Sequence, residues 1–471
     1  MERLEAEKAV LKHPFNKEVV LAAVTADARA LSHAAFPVRE DEDVILRALE
    51  RSAWSLRHAR PILLQNRCFI RRALAVSPRC LRFAPDAFRG DEELVLSAVR
   101  GDGRAFAGAT EELKADRGFI LRAVALSGAA LQYAAESFRA DREVVLHAVS
   151  QSGGALEHAS AELRADTEVV LCALGKDAVA MQHAADSLRS DREFVMQAVN
   201  VQGLALAHVA APLRADEEVA LLAVTQTALA MEFVSVGLRA DKDFVLRAVG
   251  VSGEALQFVA EFLTEDREVV SRALRDRPVP FSYAASSLRA NAAFVLDALQ
   301  RCPGLVQYAC ETLRANRTFI SQAVAIDGLA LEYAIGVLKS DIEVVVQATS
   351  QNFQAFQYAA ESLRWDRAAV LRAVVADGRA LRYAAPELQG DREVALHAAA
   401  SSPEALAFVA AELQAALAPE AAVLRSCSES VRRHPASRDV VLRAVRRHPL
   451  ALVHASEQLR SDPDFLAGCG L

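Results

Sequence analysis

Apolar residues along the chain fall into two alternating sets that recur together. In ADREVVLHAVSQSGGALEHASAELR, residues 140–164, Val144, Val145, Ala148 and Val149 have the spacing of one face of an α-helix. Ala155, Leu156, Ala159 and Leu163 form a second apolar set after the glycine pair, and the following ADTEVVL begins the pattern again. If each unit is numbered from its Asp or Asn as position 1, that residue stands at 16, 41, 66, 91, 116, 141, 166, 191, 216, 241, 266, 291, 316, 341, 366 and 391, a period of 25 without insertion or deletion. The register lapses in ELQAALAPEAAVLRSCSESVRRHPAS (412–437) and resumes at Ser437 and Asp462; the 46 residues from 391 to 437 are about four short of two periods.

The side-chain chemistry at each position assigns the elements. Position 1 carries a short acceptor suited to capping a helix N-terminus, which stabilises by about 0.5–2 kcal/mol relative to Ala. Position 3 is acidic in thirteen units, where a carboxylate complements the positive end of the helix dipole. Apolar positions 4, 5, 8 and 9 then predict a helix A. Position 13 is Gly at 103, 128, 153, 203, 253, 328 and 378, and Pro at 78, 278, 303, 403 and 449. Gly would end helix A through a left-handed turn, Pro through its missing donor. Positions 15, 16, 19 and 23 predict a helix B of roughly ten residues that ends near the next cap, with position 19 always Ala or Val.

Two such helices cannot hide their apolar faces alone, so successive units must stack. The expected fold is all-α, an α-solenoid of about nineteen stacked two-helix units with a 25-residue period. The expected organisation is an N-terminal capping helix at 1–15, regular repeats at 16–411, an irregular shortened repeat at 412–436, and C-terminal repeats with a cap at 437–471.

Composition agrees with a folded repeat protein. Of 471 residues, 52% are hydrophobic, which supplies a continuous core. A net charge of −7 argues against general polyanion binding. The start MERLEAEKAVLKHPF is unlike a secretory signal and no 18-residue apolar run occurs, so a soluble intracellular protein is expected. The seven cysteines form an odd set without CxxC, which indicates neither a disulfide framework nor a zinc module.

Units such as LRADREVVLHAVSQSGGALEHA and LRSDREFVMQAVNVQGLALAHV resemble domain of unknown function family 4116, a tandem repeat of protist and bacterial proteins. The resemblance, carried by an L-R-x-D-x-E-h-V-h-x-A-V consensus, covers nearly the whole chain and departs at 412–437. It implies a helical repeat protein and brings no activity or site with it.

Position 18 is the column that invites a function. All six tyrosines, Tyr133, Tyr283, Tyr308, Tyr333, Tyr358 and Tyr383, fall there, with Phe83, Phe233, Phe258 and Phe408 and with histidine at 33, 58, 158, 183, 208 and 454; Gly108 breaks the column. On a helix B this position lies away from the core and should be half exposed. The rings would form a ladder able to stack on peptide side chains or bases, or would fill the groove between successive B helices. The candidate ladder for a partner is Tyr133, His158, His183, His208, Phe233, Phe258, Tyr283, Tyr308, Tyr333, Tyr358 and Tyr383.

Position 24 is basic in most units, and Arg139, Arg164, Arg189, Arg214, Arg239, Arg289 and Arg314 form a candidate row for tracking phosphates. The same residues would complement the end of helix B and approach the next acidic cap. On helix A, Asp43/Arg47, Asp243/Arg247 and Glu268/Arg272 are spaced for i,i+4 pairs. Metal binding by His158, His183 and His208 is not expected, because stacked helices stand roughly 8–10 Å apart whereas zinc donors lie about 2 Å from one ion. No phosphate-loop, dinucleotide, zinc-protease or nucleophile-elbow motif occurs, so neither catalysis nor a cofactor is expected. The expected function is a non-catalytic scaffold that binds a protein or peptide along an extended surface. Single-stranded nucleic-acid binding and a purely structural assembly role are the alternatives.

Overall fold

A computed structural model of the chain describes residues 2–275, 277–409, 423, 426, 438–447, 451–452, 455–462 and 464–466. It has two compact bodies, Met1–Phe244 and Val245–Leu471. Both are all-α among the described residues, and the chain is an α-solenoid of stacked 25-residue helical units. Apart from Val423 and Ser426, the irregular stretch anticipated at 412–436 lies outside the described residues, as does His454.

Helix A forms as its sequence requires. In the unit that starts at Asp141 it runs Arg142–Gln151, and the Asp141 carboxylate accepts from the backbone N–H of Glu143 (3.0 Å) and Val144 (3.2 Å). Sixteen successive helices in this register, from Lys17–Ala26 to Arg392–Ser401, follow the Asp and Asn column. Their positions 4, 5, 8 and 9 make the core: Val144, Val145, Ala148 and Val149 have no accessible surface. Facing positions 15 and 16 complete it, as where Phe106 stacks on Phe119 at 6.0 Å.

The second half of the unit is not the single helix that its apolar spacing predicts. In the Asp141 unit a six-residue 3₁₀ helix, Gly153–His158, is followed by extended Ala159 and then by a short turn, Leu163–Ala165. Position 12 starts the 3₁₀ helix with extended backbone, and where it is Asp the carboxylate caps it. Asp102 accepts from the N–H of Arg104 at 2.9 Å, and Asp377 accepts from that of Arg379 at 3.0 Å.

The break at positions 19 and 20 has a backbone cause. The position-20 N–H turns away from its own unit and donates to the position-24 carbonyl of the unit before. Ser160 bonds to Arg139 at 2.8 Å, Ala185 to Arg164 at 2.8 Å, Ala210 to Arg189 at 3.0 Å and Ile335 to Arg314 at 3.0 Å. A continuous helix would consume that donor internally, so the stacking bond and an unbroken helix B exclude each other.

Position-13 glycines also act otherwise than expected. Among the described residues only Gly304 and Gly336 have positive φ, so the conserved turn is not left-handed. What glycine supplies is close approach: a Cβ on Gly153 would lie 2.5 Å from the Ala173 carbonyl oxygen, and one on Gly203 would lie 2.6 Å from that of Ala223. Helix A of the next unit packs its backbone directly on this corner.

Ion pairs tie one helix A to the next through position 2 rather than position 24. Arg117 contacts Asp141 at 3.0 Å and Glu143 at 2.5 Å; Arg192 contacts Asp216 at 2.8 Å and also Glu218; Arg367 contacts Asp391 at 2.9 Å and also Glu393. Each cap carboxylate thus serves its own helix and its neighbour. The i,i+4 pair expected between Asp43 and Arg47 does not form. Lys17 reaches Asp43 from the preceding unit at 3.4 Å, and Arg47 pairs instead with Glu50 at 2.8 Å.

Candidate functional site

The 3₁₀ geometry decides where position 18 points. With three residues per turn, positions 15 and 16 face the core, and position 18 ends the helix at its rim. Tyr133, His158, His183, His208 and Phe233 in the first body are all half-buried, as are Phe258, Tyr283, Tyr308, Tyr333, Tyr358 and Tyr383 in the second. Successive rungs sense one another. His183 is close enough to His158 and His208 to disfavour their protonation, and Tyr308 and Tyr358 act on the Tyr333 hydroxyl.

Burial first, and then the Glu332 carboxylate beside both rings, raises the pKa of Tyr333 and Tyr358 above the ordinary phenol value. Phe353 stacks on Tyr383 at 6.4 Å and lies under the Arg379 guanidinium at 4.3 Å. In the first body Trp54 stands edge-on to His58 at 6.3 Å and to Phe83 at 6.2 Å, with Arg57 at 4.5 Å over its ring. Within each compact body, side chains from positions 13, 14 and 17 therefore lie beside the rungs at the surface.

The basic row runs close to the rungs. Position 24 of one unit lies against position 18 of the next: burial and then the charge of Arg39 hold the His58 imidazole below its usual pKa, and burial with Arg189 does so for His208. Where Gly108 replaces the ring, the Arg89 Nε reaches in and donates to the Gly108 carbonyl at 2.7 Å. In Arg139, Arg164, Arg189, Arg214, Arg289 and Arg314 the Nε is buried without a hydrogen-bond partner, and Arg239 occupies the equivalent position.

Among the described residues Arg89, Arg139, Arg164 and Arg214 do not bridge to the next cap, whose carboxylate is held by position 2 of the preceding helix A. Several position-24 cations pair within their own short turn, Arg89 with Asp86 at 2.8 Å, Lys114 with Glu111 at 2.9 Å and Arg189 with Asp186. These acids at position 21 neutralise part of the row.

Other sequence candidates are not assembled into a site. No group of three or more His, Cys, Asp or Glu among the described residues is placed to hold a metal ion. His147 shares an open depression on helix A with Glu143 and Cys172, and no hydrogen bond joins its ring to the thiol. Cys68, Cys80, Cys172 and Cys310 are free thiols, and burial pushes that of Cys80 up to about 12. No helix of the described residues is long and apolar enough to cross a membrane.

Repeated capped helices, backbone staples between units and a ring-lined groove define a helical-repeat protein of the α-solenoid class. The chain belongs to the family described as Domain of unknown function (DUF4116), whose profile matches residues 41–89, 66–114, 91–139, 116–164, 166–214, 192–239, 216–263, 241–289, 291–335, 316–364 and 437–466. Most of these overlapping matches span two 25-residue units, so the family's domain is a pair of them. No curated protein matches the chain.

Proposed function

We propose that this protein is a non-catalytic scaffold whose position-18 groove binds an extended segment of a partner protein. The observation that carries the reading is that within each compact body half-buried rings at position 18 lie beside position-24 residues while the residues around them change from unit to unit. Position 17 is exposed and reads Arg82, Gln132, Glu157, Gln182, Glu232, Gln257 and Arg382 along the chain. A constant frame with a varied, accessible rim suits recognition of a particular sequence. Flat, amphipathic rings at its floor are the residue types that dominate protein contacts. On helix A, by contrast, position 2 and the acidic positions 1 and 3 are engaged in holding units together.

Single-stranded nucleic acid is the second reading, and the same juxtaposition of ring and cation favours it. Position-21 carboxylates on the cations, together with Glu157 and Glu232 at the rim, weaken a phosphate track. Affinity purification with the full chain, followed by reconstitution with the purified partner, tests the proposal. Replacing Tyr283, Tyr308 and Tyr333 with Ala together should abolish partner recovery, and unchanged recovery would remove the groove as the contact. Binding to an oligonucleotide that falls steeply with salt would favour the second reading.

A further inference from the structure

We infer that the arginine-lined cavity beside Gly108, where the ring column is interrupted, is a subsite for the phosphomonoester of a phosphorylated peptide. The inference rests on the peptide-binding reading of the groove and specifies the chemistry of one stretch of it. Rings occupy position 18 of the neighbouring units, at Phe83 and Tyr133, and beside Gly108 lies a cavity of about 410 Å³. Arg79, Arg82, Arg104, Gln132 and Tyr133 line it. Gly108 itself packs closely on the preceding unit, because a Cβ there would stand 2.5 Å from the Arg82 backbone nitrogen; no ring fits at this position, and the cavity lies beside it. Arg89 fixes the Gly108 carbonyl from the other side at 2.7 Å.

The charge at this cavity is only partly compensated. Arg79 is held by Asp102 at 2.5 Å, but neither Arg82 nor Arg104 makes an ion pair among the described residues. Both are exposed, so their guanidiniums can swing onto a ligand and offer paired N–H donors to phosphoryl oxygens. Three guanidiniums against one carboxylate match a phosphomonoester, which carries about −1.5 to −2 at neutral pH, better than a diester with its single charge. The Tyr133 ring offers a face to the group that bears the phosphate.

The surroundings favour a peptide over a nucleic acid. Towards the N-terminus the groove continues with Arg82 at 5.3 Å over Phe83 and Arg57 at 4.5 Å over Trp54, surfaces for peptide side chains. Exposed Glu111 of the same unit, paired with Lys114, and exposed Glu136 and Glu157 of the next two units would repel the next phosphates of a polyanion. Unpaired guanidiniums are therefore gathered at this point, while several position-24 cations along the rungs are neutralised by position-21 carboxylates.

Calorimetric titration of the full chain with phenyl phosphate, inorganic phosphate and oligo(dT) at low salt tests this. Phenyl phosphate should bind saturably and more tightly than inorganic phosphate, and Arg82→Gln with Arg104→Gln should weaken it by about tenfold or more. Tyr133→Ala should weaken phenyl phosphate and leave inorganic phosphate unchanged, with the circular dichroism spectrum preserved in all variants. Absence of saturable phenyl phosphate binding, or binding indifferent to both arginines, would overturn the subsite. Tighter oligo(dT) binding with the same arginine dependence would assign it to nucleic acid instead. The Tyr283, Tyr308 and Tyr333 variant should bind phenyl phosphate normally, since those residues lie in the other compact body. Partner loss there without phenyl phosphate binding in the parent protein would refute the subsite alone and leave the scaffold reading standing.

Discussion

Arg192 donates through Nε to the Asp216 carboxylate at 2.8 Å, while Asp216 caps its own helix by accepting from Glu218 (3.0 Å) and Val219 (3.1 Å). One carboxylate thereby joins helix formation to unit stacking, and the arrangement recurs at Asp341 with Arg317 and at Asp391 with Arg367. The arginine hydrogen bond is the largest cause holding each of these three carboxyls below the usual aspartate pKa.

A lowered folded pKa fixes how acid acts on these caps. Their contribution is complete above the unfolded aspartate value of about 4 and is lost as pH falls through the depressed folded values. Thermal midpoints should therefore drop on acidification below about pH 4. Arg192→Gln should make that fall smaller, and an identical acid profile in the two proteins would contradict the shared-carboxylate account.

The histidine rungs predict a separate window. His58 and His208 are held below the usual imidazole value of 6.5, by burial first and then by Arg39 or Arg189. The unfolded chain then takes up protons before the folded one, so stability is lost as pH falls through 6.5 towards the folded values. Proton resonances of both rings should titrate with midpoints under 6.5. Midpoints at or above that value would show rungs that are solvated and unaffected by the basic row.

Capping has a local cost. Asp141→Ala should destabilise its helix by about 1 kcal/mol, read as faster amide exchange in Arg142–Gln151 and the two flanking units. Distant units should keep their protection, because repeats couple chiefly to neighbours. Loss of helix throughout the chain would contradict independent capped units.

Replacement of Gly153 by Ala gives the opposite of the usual helix-propensity result. The added Cβ would meet the Ala173 carbonyl oxygen at 2.5 Å, so the corner must open and the variant should be less stable by about 1–3 kcal/mol. An increase in stability would mean that position 13 is glycine for flexibility and not for close approach.

The frame was legible because its signals are side-chain signals. Asp at position 1, carboxylates at position 3 and apolar pairs at 4, 5, 8 and 9 each leave a residue type at a fixed spacing, and helix A follows them. The interruption of helix B was not legible in the same way. It arises from a main-chain bond such as Ser160 to Arg139, which any residue with an N–H can make. The available hint was Pro85 at position 20, since proline forces extended backbone on Ala84 and cannot sit inside a helix. Likewise Arg192 and Asp216 stand 24 residues apart, a pairing visible only once the stacking offset is known. For the candidate site, composition alone marked the position-18 column, but its closeness to position 24 depends on the offset from Arg189 to His208 across a unit boundary. The Gly108 cavity was invisible as such, because a missing ring reveals neither how closely Arg82 approaches nor that Arg104 lacks a partner.

The central claim, that the ring-lined groove is the surface used for binding, is tested most directly by comparing two variants that differ in face. One replaces Tyr283, Tyr308 and Tyr333 by Ala, and the other replaces exposed helix A residues Gln322 and Gln347 by Ala in the same body. With the purified partner in an equilibrium binding assay, affinity should be lost in the first and kept in the second. Equal affinities in both, or loss confined to the helix A variant, would contradict the account.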